Sequence, residues 1–450
     1  MKKYTTVILT SVLIITCIIF NVLMSKRFYS GQNVLRPDER LYNQMALGIL
    51  NGNDYYVFND KKVDIGVEVS PLFPAFVAAA YFVGGVNVKN AYILHVIFNC
   101  LTIVLLFLTI RLITKKNLIS FLFSLAFLIY YPLWKMNFTI MMEVSTVFFL
   151  SLTIYLFSKY YYDKSIKYLY FSTAAFSLLC LINNRFIVLL FTFFAFLLLF
   201  VILNKINFRK VVFTPFIIAM LIISPWFIRQ CVVYDQFVFF TPAWNNIVAN
   251  KFGLLNRISV PSSADAIDSG KPDTYEEYCK YLNESYTKED QKGRKSAFTL
   301  EKYENIVANH NSQENIYLFR LKKVFSIYNR DFQFAGPNDY QLILPSSKSY
   351  IIIQILVLLP LFILSLFGFI ISVRKKELYV IFLGALFFSF VLLHVLIYYT
   401  DRYRLTILPV LLLIAAYGFS EALRMLKRNY LTNGNTNPFK KIYTKIKDVK

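Results

Sequence analysis

Two adjacent acids, Asp38 and Glu39, follow Pro37 in the segment 36–50, and a third, Glu143, opens a long apolar run. Four arginines, Arg185, Arg229, Arg402 and Arg404, recur at the edges of other apolar runs. A carboxylate can take the proton of an attacking hydroxyl, and guanidinium groups can hold the oxygens of a departing phosphate. Those capacities together suit displacement at a sugar carried on a lipid phosphate. Its leaving group departs as a stable anion, so a cationic cradle can replace the general acid that a glycosidase requires. One carboxylate behind the acceptor hydroxyl then serves as general base, and a single in-line displacement inverts the anomeric carbon.

These residues are set among elements that need lipid. The chain has 450 residues, 57% of them hydrophobic and only 16% charged, with a net charge of +22. A soluble protein carries about 25% charged residues. Three histidines and five cysteines without a close cluster argue against a zinc module or a redox dithiol. Ten apolar runs near the length of a membrane span are read at about 5–24, 91–113, 117–134, 143–162, 168–182, 186–203, 211–228, 350–373, 378–398 and 405–423. Every backbone group must be satisfied inside lipid, which favours helices over strands for these runs.

The basic residues then fix an expected orientation. One set of span ends carries Lys2 and Lys3, Arg111 with Lys115 and Lys116, then Lys159, Lys164 and Lys167. It continues with Lys205, Arg209 and Lys210, Arg374 to Lys376, and a basic tail from Arg424 to Lys450. Short basic loops stay in the cytoplasm, so both termini are expected there and the active face outside the cell membrane. The excess positive charge records topology, and a nucleic-acid partner is not expected. The Lys-Lys start and apolar run look like a signal peptide but lack a small-x-small cleavage site, and are read as an uncleaved span.

Residues 25–90 and 229–349 fall outside the bilayer on the outer side. The first contains a short amphipathic helix at 36–50 and an apolar stretch at 70–84 that is too short to cross and is broken by Pro71 and Pro74. Within the second, Cys231 and Cys279 would be free to pair in an oxidising exterior. Asn137-Phe138-Thr139 and Asn283-Glu284-Ser285 match glycosylation sequons. His95 and His394 read as packed polar residues. The cytoplasmic loops contain no P-loop and no GxGxxG after a strand.

At these residues the chain resembles the integral-membrane glycosyltransferases of the GT-C fold, and most closely the family 39 group of protein O-mannosyltransferases and bacterial aminoarabinose transferases. Pro37-Asp38-Glu39-Arg40-Leu41-Tyr42 is similar to the family's Asp-Glu motif, and Ser70-Pro71-Leu72-Phe73-Pro74 to its Pro-Pro-Leu-Tyr-Pro element. Tyr131-Pro132 through Glu143 resembles the region of the second acid. Ser224-Pro225-Trp226 through Arg229 resembles the end of the seventh span, and Arg402-Tyr403-Arg404-Leu405 with Pro409 and Ala415 to Gly418 the closing signature. The Lys-Pro-Pro form of aminoarabinose transferases is absent, since Val69 and Ser70 precede Pro71.

The resemblance implies an all-α polytopic membrane protein, a GT-C-like bundle of about ten transmembrane helices with outer-face juxtamembrane helices and one large outer loop. Its expected parts are an N-terminal module at 1–228 with a catalytic first outer loop at 25–90, the loop 229–349, helices at 350–423 and a basic tail at 424–450. It further implies Asp38 as base, Glu39 and Tyr42 as supports and Glu143 as second acid. Arg185, Arg229, Arg402 and Arg404 become the contacts to the lipid phosphate. The expected partners are a lipid-linked sugar donor, membrane lipids and an acceptor glycan, lipid or protein. No cofactor is assigned, and a divalent metal is compatible with the acids. A transporter or flippase of lipid-linked sugars, or a polysaccharide polymerase or ligase, would share the multi-span layout and the large outer loop.

Overall fold

The computed structural model describes residues 2–28, 37–58, 61–66, 69–238, 240–241, 347–396 and 403–432. Helix α1 (Lys2–Phe28) is followed by α2 (Pro37–Leu50), a hairpin of β1 (Tyr55–Phe58) and β2 (Lys61–Asp64), and α3 (Leu72–Gly84). Next come α4 (Val88–Thr114), α5 (Asn117–Ile129), α6 (Tyr131–Asn137), α7 (Glu143–Asp163), α8 (Ile166–Ile182) and α9 (Phe186–Asn204). A π-helical turn at Arg209–Phe213 leads into α10 (Thr214–Tyr234). Three further helices are α11 (Ser347–Lys375), α12 (Leu378–Leu396) and α13 (Tyr403–Thr432).

Each of the ten expected runs falls on helix among the described residues, with one interrupted at Tyr130. Seven helices among the described residues are long and apolar enough to cross a membrane. The other three expected spans fall on α5, α7 and α8 and are not among those seven, so the count of ten is not reached by length and apolarity. The 117–134 run is two helices rather than one. Tyr130 is extended, with φ −69° and ψ 102°, and a new helix opens at Tyr131. Pro132 has no N–H to give and suits only a first turn, which explains the break. The basic tail expected from 424 begins as a continuation of α13 to Thr432.

Side-chain contacts give the helix directions. Ser172 Oγ donates to Thr153 O at 2.9 Å, and the Lys159 ammonium lies 5.4 Å from the Tyr168 ring, so α7 and α8 run antiparallel. Thr192 donates to Ser389 Oγ at 2.9 Å while Phe196 meets Phe382 at 4.7 Å, so α9 and α12 do likewise. By contrast α11 and α13 are parallel. Ser365 Oγ donates to Leu411 O at 2.9 Å, and one helical stretch later Lys375 pairs with the buried Glu421, which Arg424 also holds. Between those contacts the two backbones touch. A Cβ on Gly418 would lie 2.3 Å from Leu364 O and 2.9 Å from the Gly368 Cα. Helix α13 is apolar and buried on every side from Leu405 to Tyr417, as a central helix must be.

With consecutive helices antiparallel, the starts of α4, α7, α9 and α13 and the ends of α8, α10 and α12 gather at one end of the bundle. At the other end, α4, α7 and α9 close on Lys115, Lys164 and Lys205 with φ of 61°, 57° and 52°. Lys376, just after α11, has φ 57°. This left-handed position normally takes glycine. Lysine accepts the strain there while placing a cation against the exposed carbonyls of a helix C-terminus.

Candidate functional site

Helix α2 delivers the acids. Pro37 opens it, and Asp38 and Glu39 occupy its first turn, where unpaired amides and the helix dipole favour negative charge. Asp38 is half-buried and Glu39 is buried, 5% exposed. The Glu39 carboxylate reaches across the fold, and its Oε1 accepts the Ile140 N–H at 3.2 Å. Ile140 lies in the connection from α6 to α7, three residues before the buried Glu143. Helix α2 is thereby tied to the segment that leads into α7, 101 residues away in sequence.

The inner face of α2 is seated by Tyr42, Met45 and Ala46, all buried. Tyr42 meets Phe73 of α3 edge-on at 4.8 Å, and Phe73 stacks on His95 of α4 at 5.9 Å. The His95 ring in turn faces the backbone carbonyls of Met136, Asn137 and Thr139, at the end of α6 and just beyond it. Tyr81 of α3 donates to Asn43 Oδ1 at 2.6 Å. Burial pushes the Tyr81 hydroxyl up to about 12, so it remains a donor across the physiological range. Asn137 donates to Asn21 of α1 at 2.9 Å and is fully buried. The sequon that begins at Asn137 is therefore closed to modification, and Asn283 lies outside the described residues.

Arg229, near the end of α10, occupies a second neighbourhood. Its two terminal nitrogens donate to the two carboxylate oxygens of Asp64, at 3.3 and 2.9 Å. One of them also donates to Gln230 Oε1 at 2.8 Å, and the guanidinium lies 5.3 Å from the Trp226 ring. Gln230 Nε2 donates to Gly66 O at 2.7 Å. Gly66 has no room for more: a Cβ there would sit 2.6 Å from Gln230 and 2.9 Å from Trp226. Trp226 donates to Phe240 O at 2.9 Å, drawing in the start of the large loop. The hairpin of the first loop is thus clamped to α10. Nothing in the sequence pattern singles out Asp64.

Arg185 lies in the turn from α8 to α9, where its N–H donates to Asn183 Oδ1 at 3.3 Å. Arg402 is outside the described residues, and of Arg404 only the backbone, in the first turn of α13, is described. Cys231 is a free thiol, and Cys279 lies outside the described residues. Among the described residues no group of three or more His, Cys, Asp or Glu is placed to hold a metal ion.

The fold has a counterpart among solved structures. The chain is similar to ArnT from Cupriavidus metallidurans in its apo state, with a TM-score of 0.52 and 12% identity over 89% of this chain. That match covers 59% of ArnT, so this chain spans less than two thirds of that protein. ArnT bound to undecaprenyl phosphate is matched with a TM-score of 0.42 and 13% identity, over 90% of this chain and 78% of that one. The first likeness defines the class: a multi-pass membrane protein with the GT-C fold. Within it, residues 68–228 match a family model described as dolichyl-phosphate-mannose-protein mannosyltransferase, a region running from just before α3 to the residue before Arg229. No curated protein sequence matches the chain.

Proposed function

We propose that this chain is an inverting glycosyltransferase that moves a sugar from a polyprenyl-phosphate donor to an acceptor hydroxyl on the outer face of the membrane. The observation that carries the reading is the reach of Glu39 to the Ile140 N–H, which ties the first outer loop to the segment three residues before Glu143. The resemblance to the mannosyltransferase family over residues 68–228 supports the same chemistry.

In this reaction Asp38 takes the proton of the acceptor hydroxyl as its oxygen attacks the anomeric carbon. The bond from that carbon to the phosphate oxygen breaks with inversion, and polyprenyl phosphate leaves as an anion. Glu39 holds α2 against the α6–α7 connection, and Glu143, three residues beyond Ile140, is the second acid. Arg229, with Arg185, Arg402 and Arg404, supplies positive charge for the phosphate. No step of this scheme requires a metal ion or a nucleotide.

Asp38→Asn tests the base. In protein inserted at normal levels, transfer of label from a polyprenyl-phosphate sugar is expected to fall at least about a hundredfold. Full transfer by that variant removes Asp38 from the role. A flippase would instead translocate the lipid-linked sugar without consuming it, which the same labelled donor distinguishes.

A further inference from the structure

Resting on the donor chemistry just proposed, we infer that Asp64 sets donor affinity: it is an internal stand-in for the donor phosphate that occupies Arg229 and governs how tightly the lipid is bound. Three features support this. First, the pairing is two-pronged: both Asp64 oxygens accept from the terminal nitrogens of one guanidinium, at 3.3 and 2.9 Å. Two oxygens of a phosphate would present the same spacing to the same nitrogens, because guanidinium recognises carboxylate and phosphate by one fork geometry.

Second, the pair is reachable. The Arg229 and Asp64 side chains retain 25% and 20% of their exposure, so an anion arriving from the interface can contest the guanidinium. Third, the remainder of the setting holds Arg229 in place without Asp64. Gln230 accepts from it at 2.8 Å and Trp226 lies beneath it at 5.3 Å. Exchange of one anion for another therefore leaves the guanidinium where it was. Asp64 keeps a second partner as well, since its Oδ1 accepts the Gly66 N–H at 2.6 Å. It has somewhere to remain when Arg229 is taken.

A ligand that must displace an internal competitor has its affinity scaled down by the fraction of time the site is free. Asp64→Asn removes the competing charge and keeps the side chain's shape. The expected result is about a fivefold lower donor KM with kcat little changed, and similarly tighter direct binding of a short-chain polyprenyl phosphate to the full-length protein. Asp64→Glu, which retains the charge, is expected to bind like the wild type. Arg229→Gln is expected to weaken binding of the same probe. If Asp64 only fastens the hairpin, Asp64→Asn will bind the probe no better than wild type while lowering thermal stability, and the inference falls. If the wild type neither binds polyprenyl phosphate nor turns over the lipid-linked sugar, the donor reading fails and this inference with it. Wild-type binding that Asp64→Asn leaves unimproved defeats the inference alone.

Discussion

At the scale of single residues, Asp38 and Glu39 are neighbours with different work. Glu39 is a buried acceptor for the Ile140 N–H. A glutamine in its place still has a carbonyl oxygen to offer, whereas alanine strands that N–H. Glu39→Ala is therefore expected to cost about 1–3 kcal/mol of stability. Glu39→Gln should cost little, as a comparison of apparent Tm in detergent can measure. Equal losses in the two variants would mean that charge rather than hydrogen bonding holds α2. For Asp38, the proposed base, the expectation is reversed, because an amide cannot take a proton in its place. The adjacent acids, Glu143 and the arginines drew notice in the sequence because charged side chains stand out against apolar runs. The partners were not. Asp64 and Arg229 are 165 residues apart, and no local pattern encodes that meeting. His95, read as a packed polar residue, is packed, and it packs against the segment that also carries Glu39's donor.

At the scale of elements, the sequence announced helices wherever about 20 apolar residues run together, since a backbone in lipid has no other way to satisfy itself. It did not announce the β1–β2 hairpin, whose four-residue strands are too short for an alternating pattern to register. Nor did apolar content alone divide α5 from α6. The tightest join between elements is also invisible to hydropathy: Gly368 and Gly418 let α11 and α13 meet backbone to backbone. Gly418→Ala is expected to destabilise the fold by about 1–3 kcal/mol, because the new methyl group meets the fixed Leu364 carbonyl rather than a movable side chain. An unchanged apparent Tm would show that the two helices can part at no cost.

At the scale of the whole molecule, the expected orientation can be checked apart from any chemistry. With Cys231 and Cys279 replaced by alanine, a cysteine at Asn53 should react with a membrane-impermeant maleimide on intact cells, and one at Lys116 should react only after permeabilisation. Labelling in the opposite sense would put the acids in the cytoplasm. The lysine-capped helix ends add a ruler to this picture. Helix α4 has 27 residues and so measures about 40 Å, against about 30 Å of hydrocarbon. Counting upward from Lys115 as the floor, the oily layer gives out after about 20 residues, close to His95. The first turns of α4, with α3 and α6 packed beside them, then stand at the depth of lipid headgroups. A donor anchored by its own tail carries its phosphate at that depth. It could meet the acids without leaving the bilayer, while a water-borne acceptor approaches from above.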